Sequence, residues 1–133
     1  MGISNLNKGS KFKFSYNKDD VTYMNTKEYV QQFGLDQVMI MRACHINRNG
    51  KYGPQATVIA TKTNNGQIYG INLPSHMVDL VGVILDSPEY INEIDELRAG
   101  IQAYAYVDKD GNDRYSFKFV DLAECSQVYK VNA

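Results

Sequence analysis

Between residues 37 and 121 apolar and polar positions alternate in short runs punctuated by turn residues. Residues 37–47 (QVMIMRACHIN) close at Asn49-Gly50, residues 54–62 (PQATVIATK) close at Asn64-Asn65-Gly66, and residues 67–73 (QIYGINL) follow. Asn-Gly between two apolar runs is the strongest short-range hairpin signal, because both residues tolerate positive φ. Its use twice in succession predicts a three-stranded meander. The period then changes. Pro74 suits a first helical turn, where its missing N–H has no partner to lose, and residues 75–86 (SHMVDLVGVILD) continue the helix, although Gly82 and the valines weaken it. Ser87-Pro88 is a second cap-and-start signal. Residues 89–98 (EYINEIDELR) then place Ile91, Ile94 and Leu97 three apart on one helical face, with Gly100 as the stop. Residues 101–108 (IQAYAYVD) and 113–121 (DRYSFKFVD) flank the turn Lys109-Asp110-Gly111-Asn112 and predict a final hairpin.

Three strands, a helical connector and two strands, in that order, are the elements of the five-stranded β-barrel called the OB-fold. The expected class is thus mainly β with helices, the connector lying between strands 3 and 4 and the barrel spanning residues 37–121. Residues 1–36 read as an N-terminal extension that packs on the barrel or serves a partner. Within it, residues 11–16 (KFKFSY) alternate as a strand would, and residues 26–33 (TKEYVQQF) predict a short helix stopped by Gly34. Residues 122–133 form a C-terminal tail without a strong pattern. OB-folds commonly hold single-stranded nucleic acid or oligosaccharides, but a fold assigns no function by itself.

Side chains two apart in a strand share a face, so alternation indicates which aromatics turn outward. Ile101, Ala103, Ala105 and Val107 form an apolar set, leaving Gln102, Tyr104, Tyr106 and Asp108 on the other face. The same logic groups Tyr69 with Gln67, against the pull of Ile71 and Leu73. In the last strand Tyr115, Phe117 and Phe119 read as core, and Arg114, Ser116 and Lys118 as surface. Exposed tyrosines stack on bases whatever their identity, at roughly 1–3 kcal/mol per base, while Lys and Arg hold phosphates. Tyr52, Tyr69, Tyr104 and Tyr106 are therefore the candidate stacking residues. Arg42, Arg48, Lys51, Lys62, Arg114 and Lys118 are the candidate phosphate contacts. Arg48, Lys51 and Tyr52 share one loop around Asn49-Gly50, placed to clamp the end of a groove.

The formal net charge of −1 argues against phosphate binding until its distribution is considered. Asp86, Glu89, Glu93, Asp95 and Glu96 crowd one helical stretch; outside it, the barrel and an arm carrying Lys8, Lys11, Lys13 and Lys18 are mildly basic. Catalytic signatures such as HExxH, GxSxG or a Gly-rich phosphate loop are missing, so no enzymatic activity and no cofactor are expected. His45 reads as an ordinary strand residue and His76 as a helix-start residue. DKDGND at residues 108–113 has Phe119 where a calcium loop needs its twelfth-position Glu, which favours a hairpin turn. Cys44 and Cys125 have no CxxC spacing, so neither a metal site nor a disulfide framework is expected. No apolar run approaches the ~20 residues of a spanning helix, no secretion-signal layout opens the chain, and a cytoplasmic location is the expectation.

The words KYGPQATVIA and NNGQIYGINLP, the helix beginning SHMVDLVGVIL and the strand DRYSFKFVD resemble small OB-fold single-stranded DNA-binding proteins encoded by phages and conjugative plasmids of Gram-positive bacteria. The resemblance implies binding and protection of single-stranded DNA in replication, recombination or transfer, with self-association into a homo-oligomer along the strand. The chain departs from the bacterial housekeeping type in having no tryptophan and no long acidic glycine-rich tail, which puts docking of repair enzymes through such a tail in doubt. The rival reading is a phage- or plasmid-encoded inhibitor or accessory protein that docks on host or replication proteins without DNA affinity. A virion or assembly component is the third.

Overall fold

The computed structural model describes residues 12–48, 53–63 and 66–122. Strands β1 (Val21–Met24), β2 (Val38–Asn47), β3 (Gln55–Thr61), β4 (Ile68–Asn72), β5 (Ala99–Val107) and β6 (Asp113–Asp121) form one sheet in the spatial order β1-β4-β3-β2-β5-β6. Neighbours are antiparallel except β1 and β4, which are parallel. Helix α1 (Thr26–Phe33) precedes β2; α2 (Val78–Leu85) and α3 (Pro88–Asp95) connect β4 to β5. The chain is mainly β with helices, and the meander, the helical connector and the final hairpin stand where the pattern predicts them.

Among the described residues the sheet has six strands rather than five, and it is not closed on itself. The physical reason is β1. It pairs along the free edge of β4 from Val21↔Ile68 to Met24↔Ile71, so the backbone groups that a closed barrel would offer to its last strand are already satisfied. Across the remaining gap lies α1. Tyr29 meets Phe117 of β6 edge-on at 5.1 Å and Phe33 meets Tyr69 of β4 edge-on at 5.2 Å. A helix of this length spans only ~12 Å, whereas β4 and β6 would stand roughly 19 Å apart in a flat sheet. The sheet is therefore strongly curled, and side chains rather than a ladder bridge its ends.

Local chemistry accounts for α1. Asn25 accepts from the Glu28 amide at 2.8 Å while the Glu28 carboxylate accepts from the Asn25 amide at 3.0 Å, a reciprocal cap, and Gly34 ends the helix at φ 74°. Between them Tyr29 is fully buried. Residues Phe12 to Tyr16, whose alternation suggested a strand, lie outside the sheet. Phe14 instead places its ring 4.1 Å from the Arg42 guanidinium carbon and stacks on Tyr16 at 5.8 Å.

β2 is apolar on consecutive positions because both of its faces are covered. Met39 and Met41 join the main core, whereas Val38 and Ile40 pack with Leu122, Leu97 and Val120 in a second cluster. A bulge between Met41 and Ala43 then shifts the register against β3. Arg42 sits at this bulge and donates to Thr61 Oγ1 at 3.4 Å.

Gly100 does not stop the helix. α3 ends at Asp95, and the chain reverses at Leu97, φ 60°, a left-handed conformation that a residue with a β-carbon adopts at a cost. Packing in the second cluster holds Leu97 there. Gly100 lies inside β5, where a β-carbon would come within 2.7 Å of Leu122 Cδ2 and 2.9 Å of the Met39 carbonyl oxygen. Close approach of two strands, not backbone freedom, explains it.

Candidate nucleic-acid interface

The β5–β6 hairpin is longer than its support. β2 pairs with β5 only from Ile40↔Gly100 to Val38↔Gln102, while β5 and β6 remain paired out to Val107↔Asp113. Beyond the Tyr104–Ser116 pair the ribbon projects with both faces wet. Residues directly opposite in an antiparallel pair share a face. Tyr104↔Ser116, Tyr106↔Arg114 and Gln102↔Lys118 therefore put Tyr104, Tyr106, Arg114 and Lys118 on one side. Both tyrosines are exposed, with ring centroids 6.0 Å apart.

The turn of this hairpin is held by Asp108. Its carboxylate accepts from the amides of Asp110 and Asn112, each at 2.9 Å, and from Arg114 Nε at 2.8 Å. These bonds, the Arg114 contact foremost, hold the Asp108 carboxyl below its usual range. They also divert Arg114: its charge is largely balanced within the turn, so Lys118 is the freer cation of the face. Ser116 is buried although it lies on the tyrosine side, because His76 Nε2 lies 2.9 Å from its hydroxyl and Met77 packs over it.

The remaining sequence candidates are dispersed. Tyr69 is corrected from the expected outward face: it shares the side of Ile71, lies opposite Ala60, and is half-buried against Phe33. The hydrophobic pull of α1 outweighs the grouping with Gln67. Lys62 is exposed above the Phe33 ring, 5.7 Å from its centroid, beside that same aromatic pair. Arg42 is half-buried under Phe14, and Arg48 is exposed just past the end of β2. Lys51 and Tyr52 lie outside the described residues, as do the turn residues Asn49, Gly50, Asn64 and Asn65, together with Lys8, Lys11 and Cys125.

Two groups of aromatics were missed by alternation alone. Tyr115, read as core with Phe117 and Phe119, is 40% exposed, because the ribbon has already left the sheet at that point. Phe119 is only half-buried. Tyr23 of β1 lies across Gly70, where a β-carbon would fall within 2.6 Å of its ring, and its outer edge faces solvent. The short strand β1 carries no hairpin signal that would have revealed this.

Among the described residues, no group of three or more His, Cys, Asp or Glu side chains could hold a metal ion. Cys44 is a buried free thiol whose burial pushes its pKa up to about 12. No described helix is long and apolar enough to cross a membrane. No family model, no curated protein and no solved structure matches the chain.

Proposed function

We propose that the chain binds single-stranded DNA through the projecting β5–β6 hairpin. Tyr104 and Tyr106 stack on successive bases, and Lys118, with Arg114 at the turn, holds the backbone. The observation that carries this reading is the pair of exposed tyrosine rings, 6.0 Å apart, on one face of a ribbon that leaves the sheet. Unstacked bases present their π-faces to such rings, whereas a duplex does not. Strands β2 to β6 are read as a barrel of the OB type opened along one seam, with β1 and α1 filling that seam.

The resemblance noted above extends the proposal to a cytoplasmic, self-associating protein of phage or plasmid replication, recombination or transfer. It rests on the quoted sequence words alone. A mobility-shift series with single-stranded DNA, duplex DNA and RNA of equal length tests the reading. Single-stranded DNA is expected to bind in preference to duplex, with affinity falling steeply as salt rises. Equal affinity for both DNA forms, or none for either at low salt, refutes it.

A further inference from the structure

The connector between β4 and β5 carries a second surface of different chemistry. α2 is apolar on nearly every side: Val81 and Ile84 are buried, yet Leu80 and Val83 turn outward at 46% and 55% exposure. A helix on a protein surface ordinarily gives that side to polar residues. Tyr90 of α3, 53% exposed, stands across from them, and the three border an apolar groove of about 270 Å³ floored by Met41, Ile94 and Phe119. We propose that this groove docks a cationic amphipathic helix of a protein partner.

Charge selects that occupant. Glu93 lines the groove, paired with Arg98 at 2.8 Å, and the connector that walls it also carries the exposed Asp79, Asp86 and Glu89, with no Lys or Arg between Val78 and Leu97. A nucleic acid is repelled by this rim. A second copy seated through the same helices would set one acidic rim against another, and like charges juxtaposed across an interface are penalised. A helix with apolar residues at i, i+3, i+4 and i+7 and lysines elsewhere fills the groove and neutralises the rim together, which is the helix-in-groove mode of recognition. The groove is lined by Ala99 and by Phe119, the ladder partner of Ile101, on the sheet face opposite that of Tyr104 and Tyr106. The two surfaces are thus separately measurable.

The probe is a synthetic peptide with leucines in that spacing and lysines at the other positions, titrated into the full chain beside a scrambled isomer of equal charge. The patterned peptide is expected to bind about tenfold or more tighter than the isomer. Leu80→Ser, Val83→Ser and Glu89→Lys, all exposed changes whose folding is checked by thermal melts, each weaken it and leave oligonucleotide binding unchanged. Equal binding of the two peptides reduces the effect to bulk charge and overturns the proposal. So does absence of binding, or indifference to the three variants. A concentration-dependent dimer in sedimentation that Leu80→Ser abolishes assigns the groove to a second copy instead. Because oligonucleotide affinity is read in a separate titration, failure of the DNA proposal is distinguishable from failure of this one.

Discussion

Replacing Tyr106 or Phe117 by Ala separates surface from core within a single hairpin. Phe117 is only 3% exposed and meets Tyr29, itself fully buried, edge-on at 5.1 Å. A buried Phe→Ala change costs about 3–5 kcal/mol, and loss of the edge-on pair adds about 0.5–1.5 kcal/mol. Since total stability for a domain of this size is about 5–15 kcal/mol, Phe117→Ala is expected to lower Tm by roughly 10–20 °C or to abolish folding. Tyr104→Ala and Tyr106→Ala remove rings from an exposed ribbon, so their melting temperatures should stay within a few degrees of the parent chain. Their oligonucleotide affinity should fall instead, by about 1–3 kcal/mol per lost stack. Phe119→Ala should be milder than Phe117→Ala, because Phe119 is only half-buried. Thermal melts and fluorescence titrations with a short single-stranded oligonucleotide measure both quantities. If the tyrosine variants melt early while Phe117→Ala stays folded and binds poorly, the face assignment is inverted, as a one-residue slip in strand register would produce.

Lys118→Ala should reduce the dependence of log affinity on log salt by about 0.7, and Arg114→Ala by less, because Asp108 already balances Arg114; equal slopes for both variants and the parent would remove them from the phosphate path. Gly100→Ala forces a methyl group against Leu122 and the Met39 carbonyl and should cost about 1–3 kcal/mol in chemical denaturation, whereas an unchanged midpoint would refute the close-approach reading. Alkaline pH should destabilise the fold. Burial raises the Cys44 thiol from 9.0 to about 12 and pushes the Tyr29 phenol up from 10.0. The unfolded chain therefore loses these protons first, and the stability they contribute, complete below pH 9, declines as pH rises from there. The slope is at most about 1.4 kcal/mol per pH unit for each group, and Cys44→Ala should flatten the first part of the decline seen in urea melts.

Local chemistry made much of the fold legible in the sequence. The Asp-Gly turn, Gly34 and Ser87-Pro88 act over a few residues, and the strands and helices they delimit stand where the pattern predicts. Alternation also separated Tyr104 and Tyr106 from Ala103 and Phe117, because a strand with one covered face reports that face directly. It failed where coverage is set at a distance. Tyr69 turns inward because α1, from far along the chain, offers Phe33 to it. Tyr115 turns outward although its neighbours look like core, because β2 stops supporting β5 at Val38. Gly100 reads as a helix stop by composition, yet it is required by the approach of Met39 and Leu122, which no local pattern encodes. The decision between an open and a closed sheet lay in which strand pairs with the edge of β4. Hydrogen-bonding capacity at that edge is finite, and only the tertiary arrangement could award it to β1.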